Sequence, residues 1–232
     1  MKTKTLQALV LLLSLLQLAQ SLTLTGTIRD FKISHPDFED FLGAETGIVE
    51  EELGADKKPV YNGGSGQTTT GATNFNQWYN DVDGINLSTQ YSIELTDPDN
   101  DDIYTYTNNA FFPIDNQLFG DEGNNHNFHF TFELHTKFTY EAGQTFSFTG
   151  DDDLWVFINN QLVIDLGGVH GAMSASVALD DLGLTEGSPY TLDLFFAERH
   201  TSASNFQIET SIELMTDPCA VTRAARRMAR RM

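Results

Sequence analysis

The sequence predicts an all-β protein, an antiparallel β-sandwich or barrel with long loops and at most short helices. Turn signals recur roughly every ten residues, short runs alternate apolar with polar side chains, and no stretch sustains a helical period.

The elements follow in order. LTLTGTIRDF (22–31) alternates and forms a first strand. In SHPDFEDFLG, Pro36 allows at most a short helix starting after Ser34. Residues 43–73 are rich in Gly, Thr and acids and read as loop with no core of their own. NFNQWYNDV offers one helical turn around Trp78, and YSIEL (91–95) alternates as a strand. In DPDNDD (97–102), Asp97, Asp99 and Asp101 match the first ligand spacing of an EF-hand calcium loop. Asp102, however, stands where that loop needs Gly, and Asn108 where it needs a bidentate Glu. The segment reads as an acidic turn.

HNFHFTFELHTKFTY (126–140) puts Phe128, Phe130 and Phe132 on one buried strand face and continues through Phe138 and Tyr140. His126, His129 and His135 invite a zinc reading. His126 and His129 are three apart, on opposite faces of a strand, so these residues read as exposed strand histidines. QTFSFTG (144–150), VALDDLGL, YTLDLFFAERH (190–200) and NFQIETSIEL (205–214) supply the remaining strands.

The chain is organised around GDDDLWVFINNQLVIDLGGVHG (150–171). Two apolar runs around Asn159-Asn160 read as a β-hairpin. Just before it stand Asp151, Asp152 and Asp153. Adjoining carboxylates at a buried strand end raise one another's pKa unless a cation offsets them, and calcium is the cation that suits hard oxygen donors. Asp153 reads as a brace for the turn, and Trp155, inside an apolar run, as core.

MKTKTLQALVLLLSLLQLAQS combines Lys2 and Lys4, an apolar run from Leu6 to Leu18, and small residues Ala19 and Ser21, the pattern of a secretory signal peptide over 1–21. No other stretch reaches the ~18 apolar residues of a membrane span, so 22–217 is expected to be a secreted, extracellular domain. That body holds six bases against 33 acids, a balance of −27. A field so negative excludes nucleic acid and anionic membrane as partners and attracts divalent cations. Cys219 is the single cysteine, so the fold depends on its hydrophobic core, for which 17 Phe, 7 Tyr and 2 Trp supply material. Asn86-Leu87-Ser88 is an N-glycosylation sequon. In the tail, 218–232, Arg223, Arg226, Arg227, Arg230 and Arg231 would share one stripe of a helix; a disordered tail explains them equally well.

GDDDLWVFINNQLVIDLGGVHG, with LTGTIRDFKISHPDFE, HNFHFTFELHTKF and YTLDLFFAERHTSASNFQIETSI, resembles the fibro-slime domain family over roughly 22–215. That family is a branch of the PA-14 β-sandwich domains, which include flocculin-type adhesin lectins. The resemblance implies a calcium-dependent sugar site in which two adjacent Asp residues, joined by a cis peptide, hold both calcium and sugar hydroxyls. The matching pair is Asp151-Asp152. The loop before the last strand, AERHTSASNF, would supply a side-chain oxygen at Glu198, where the lectins commonly have Asn, and backbone carbonyls at His200 and Ser202. Beside the resemblance, Arg199, one of the six bases of the acidic body, reads as orienting the loop or donating to sugar oxygens, or as a plain salt bridge; His200 would face the sugar, and His170 either shares the same mouth or packs the loop. The function implied is a secreted carbohydrate-binding module serving adhesion or an extracellular polysaccharide matrix. Two alternatives stay open: a matrix or coat component with a fold-stabilising calcium, and a glycoside hydrolase. The sequence offers no nucleophile elbow, zinc-protease helix or phosphate loop, and adjacent Asp residues make a poor acid/base pair, so no catalytic residue is expected.

Overall fold

The computed structural model of the protein describes residues 20–215. The leader through residue 19, Cys219 and the Arg-rich tail lie outside them. Twelve strands form: β1 (Gln20–Phe31), β2 (Gly43–Ala44), β3 (Asn86–Asp97), β4 (Tyr104–Asn108), β5 (Phe130–Thr139), β6 (Thr145–Gly150), β7 (Asp153–Ile158), β8 (Gln161–Leu166), β9 (Gly168–Val169), β10 (Met173–Ala178), β11 (Pro189–Glu198) and β12 (Phe206–Thr210). Ten of them make one antiparallel sheet in the order β10-β6-β12-β4-β3-β1-β5-β11-β7-β8, and its outer strands, β10 and β8, return close to each other. β2 and β9 form a separate two-stranded pair. The only α-helix among the described residues is the short α1 (Ala72–Phe75), just before Trp78. No helix among them is long and apolar enough to cross a membrane.

The curled sheet encloses a core that includes Leu24, Ile93, Phe111, Phe132, Phe148 and Phe206. A second core lies on the opposite face of β5, β11 and β7, where Phe38, Ile48, Val49, Phe75 and Trp78 pack onto Trp155, Phe157 and Phe195. β7 is therefore buried on both faces: Leu154 and Val156 point into one core, Trp155 and Phe157 into the other. That explains an unbroken apolar run where a half-exposed strand would alternate. Each aromatic side chain buried in these cores contributes roughly 1.5–3 kcal/mol.

The hairpin forms as expected. Asn159 and Asn160 both take positive φ, 52° and 67°, the left-handed pair that a two-residue turn between twisted strands requires. The acidic turn holds too: both Asp97 carboxylate oxygens accept backbone N–H groups, from Asp101 and Asp102. Three expectations change. Residues 43–73 are irregular but supply Ile48 and Val49 to the second core, because β5, β11 and β7 need their outer face covered. VALDDLGL ends β10 and turns into a 3-10 helix over Leu179–Leu182. The last strand stops at Thr210.

Candidate functional site

β6 ends at Gly150 and β7 begins at Asp153, yet the two strands lie in different parts of the sheet, so Asp151-Asp152 forms the crossing between them. Gly150 is required there: a Cβ would sit 2.3 Å from the Asn205 carbonyl oxygen. The Asp151–Asp152 peptide is cis.

The three aspartates tie this crossing to three different segments. Asp151 accepts the Asn205 backbone N–H (2.6 Å) and its Nδ2 (2.7 Å), fixing the entry to β12. Asp152 Oδ2 accepts the N–H groups of Arg199 (2.9 Å) and His200 (3.1 Å), fixing the exit from β11. Asp153 accepts Gly168 N–H (2.6 Å) and pairs with the Arg199 guanidinium (Nε–Oδ2 2.6 Å). It braces the start of β7 against Gly168 and Arg199 and makes no hydrogen bond to the Asn159-Asn160 turn.

Arg199 does not face a ligand. It is fully buried, stacks over Trp78 at 4.7 Å, and donates to the carbonyls of Thr68 (2.6 Å) and Asp37 (3.1 Å). Of the readings open for it, the structure shows the salt bridge and loop-holding role and not a sugar contact: it pins the loop over the second core to the strand carrying the acids. With that base committed to Asp153, the remaining charge is uncompensated. Asp152 is 6% exposed; burial first, then Asp153, pushes its carboxyl up to about 8 against the lowering influence of the Arg199 N–H and guanidinium. Glu198 is fully buried, and burial followed by the Asp152 charge drives it well above the carboxylate range. Neither Glu198 oxygen closes a hydrogen bond of normal geometry, although the Ser204 hydroxyl and His200 N–H lie close enough to favour its ionised form. The Ser204 Oγ is likewise buried without a partner.

Above these groups opens a cleft of about 210 Å³. Asp151 and Asp152 line it, with His200, Ser202 and Ala203 from the loop after β11. Leu42, Val169, His170 and Gly171 line it too. Thus Asp151, Asp152, His200 and Ser202 line one cleft, His170 joins them, and Glu198 is buried and does not line it. A second groove, about 220 Å³ over the outer faces of β4, β6 and β12, is lined by hydroxyls, Gln207 and the single acid Glu209. It lacks any such cluster of buried acids.

Oxygen donors and an orphaned buried carboxylate fit a hard divalent cation such as calcium. Among the described residues, however, no three His, Cys, Asp or Glu side chains gather closely enough to hold a metal ion. A cation here would take at most two of Asp151, Asp152 and Glu198, with backbone carbonyls and water completing its shell. That narrows the three-carboxylate set expected from the sequence.

Other expectations are placed elsewhere. Trp155 is in the second core, with its Nε1 on Asp165 at 2.9 Å. His129 is buried, bonded to Glu39 at 3.0 Å, rather than exposed. His135 bridges Asp193 (2.7 Å) and Glu133 (2.6 Å). Asn86 is 6% exposed, its Nδ2 donating to the carbonyls of Gln77 and Asn80 and its Oδ1 accepting Val82 N–H. That amide closes a turn, which leaves no room for a glycan on it in the folded domain. Sequence reasoning missed Asn205 and Glu39. Glu39 holds the cleft loop by accepting Thr201 N–H at 3.1 Å and the Thr201 hydroxyl at 2.5 Å. Nothing in the local sequence marked Glu39 or Asn205 as part of the site.

Residues 83–217, more than half of the chain, match the PA14 domain. The chain belongs to the PA14 domain family. Among curated proteins it is similar to protein psiQ of Dictyostelium discoideum, 44% identical over 210 residues, covering 83% of this chain and 21% of psiQ. Protein psiR of the same organism is 44% identical over 223 residues, covering 87% of this chain and 22% of psiR. The chain thus spans about a fifth of the length of these relatives. Among solved PA14 structures, a "PA14 sugar-binding domain from RTX adhesin" aligns over 83% of this chain and 95% of that one at 11% identity, TM-score 0.35. That likeness is too distant to bear on function.

Proposed function

We propose that this PA14 domain is a secreted, calcium-dependent carbohydrate-binding module acting in adhesion or an extracellular polysaccharide matrix. One observation carries the reading: buried acids at an open cleft, Asp151, Asp152 and Glu198, whose only neighbouring base is committed to Asp153. A divalent cation offsets that charge, and coordinated cations exchange water for vicinal sugar hydroxyls at little geometric cost. Asp151, Asp152 and the carbonyls of His200 and Ser202 are the groups available to hold the cation and orient the sugar. Binding is favoured over hydrolysis because the two acids lining the cleft are adjacent in sequence, whereas glycoside cleavage needs a pair of carboxyls flanking the bond, about 5–10 Å apart.

The test is a glycan array probed with the purified protein in calcium and again in chelator. Binding that disappears on chelation supports the proposal. A calcium-raised melting temperature without glycan binding replaces it with a purely structural cation, and turnover of a labelled glycan replaces it with hydrolysis.

A further inference from the structure

Leu42 is 75% exposed, while the other exposed large apolar residues among those described span only 39–42%. An isolated surface leucine needs no explanation by itself. This one lines the same cleft as Val169, Asp151 and Asp152. It is also held there. The next residues form β2, paired to β9 through Gly43 with Val169 and Ala44 with Gly168. Glu45 N–H then bonds the Gly167 carbonyl (2.7 Å) and Gly47 N–H the Asp165 carboxylate (2.7 Å). The Glu45 side chain gathers Ser65, Gln67 and Thr68, which holds it down at about 2 although burial opposes its charge. Gly168 is at φ 98°, and a Cβ there would lie 2.4 Å from the Gly43 carbonyl, so the two strands meet backbone to backbone. A leucine projecting from a segment fixed this firmly is presented to the cleft.

We infer that Leu42 is a specificity-determining contact, the apolar wall against which a neutral pyranose lays its C–H face or exocyclic carbon while its hydroxyls point to the acids. The inference rests on the carbohydrate-binding reading of the same cleft. Acidic sugars are disfavoured by the body's balance of −27, and a sugar with a polar substituent toward Leu42 would bury it without a partner.

The experiment uses the full chain as wild type, Leu42→Ala and Leu42→Trp, with Leu87→Ala as an exposed apolar control outside the cleft. Each is titrated with calcium alone, then in calcium with methyl glucoside, mannoside and galactoside, their 6-deoxy forms, and the matching uronic acids. Leu42→Ala is expected to lower affinity for the preferred neutral pyranoside about fivefold, the effect of losing part of a leucine's buried surface. Leu42→Trp should restore affinity and reorder the hydroxymethyl and 6-deoxy sugars. Calcium affinity and Tm stay unchanged, and Leu87→Ala matches wild type. Pyranoside binding by wild type with unchanged affinity and order in both Leu42 variants, or a preference for uronic acids, overturns the role of Leu42 alone. Wild type that binds calcium but no pyranoside overturns the lectin reading and Leu42's role with it.

Discussion

Replacing Glu198 by Gln keeps the side-chain shape and removes the acid, and the expected effects have opposite signs with and without calcium. In chelator, Glu198 is a fully buried carboxyl with neither oxygen hydrogen-bonded, beside Asp152. An unsatisfied buried polar group costs about 1–3 kcal/mol, and the amide gains donors for the orphaned Ser204 hydroxyl. The variant should therefore be more stable than wild type, by roughly 2–12 °C in Tm at about 2–4 °C per kcal/mol. With calcium the order reverses. Wild type at a hundredfold excess of calcium over its Kd gains about 2.7 kcal/mol, roughly 5–10 °C, and the variant, with one buried negative charge fewer behind the cleft, loses part of that gain. Thermal melts of both proteins across a calcium series read both numbers. A Glu198→Gln protein that melts lower than wild type in chelator and keeps its full calcium shift would refute the reasoning, since Glu198 would then be an ordinary core residue.

Four more outcomes are expected. Asp152 has a folded pKa raised to about 8, so the folded domain holds a proton that the unfolded chain releases; calcium-free stability falls as pH rises from the ordinary carboxylate range to about 8. The calcium-induced rise in Tm grows over the same window as the proton ceases to compete, which melts at pH 5, 6.5 and 8 would show. Asp152→Ala should abolish calcium and glycan binding while circular dichroism still reports a folded sheet; calcium-dependent glycan binding in that variant would remove Asp152 from the site. For His135, burial opposes the charge but Asp193 and Glu133 outweigh it and hold its pKa up at about 9. Its stabilisation, about 1 kcal/mol for a partly exposed pair, is fully present below the usual histidine range and lost through about pH 9, so wild type and His135→Gln should converge in denaturant melts above that pH. Arg199→Met leaves the Asp153 carboxylate buried and unpaired and should cost about 3–5 kcal/mol in urea melts; a loss of sugar affinity at unchanged stability would return Arg199 to the ligand.

Much of this was legible in the sequence because it depends on local pattern. The Asn159-Asn160 turn, the aromatic face of Phe130 and Phe132, and the Asp151-Asp152 crossing are each written in a few consecutive residues. What the sequence hid is long-range cover. Residues 43–73 contain too few apolar side chains to suggest a core, yet Ile48 and Val49 are enough once Trp155, Phe157 and Phe195 wait on the outer sheet face. Arg199 stayed ambiguous for the same reason. As one of six bases in a body carrying 33 acids it suggested a ligand contact, whereas its partners, Thr68 and Asp37, lie far away in sequence within that cover. His129 looked like an exposed strand residue because Glu39, ninety positions away, could not be seen opposite it.

The position of the acids follows from what the crossing must do. Strands β6 and β7 belong to separate neighbourhoods of one curled sheet, so the peptide joining them bridges segments that the ladder does not connect. Consecutive side chains there point in different directions, and each Asp reaches a different segment: the head of β12, the end of β11, and Gly168 with Arg199. Carboxylates suit the task because each oxygen can accept more than one N–H. The same choice concentrates negative charge where one buried base is available. Glu198, at the end of β11, adds to it without a hydrogen bond of its own. A cation bound here would therefore join the crossing to the ends of the strands it must hold, so occupancy of the cleft and stability of the sheet should rise and fall together.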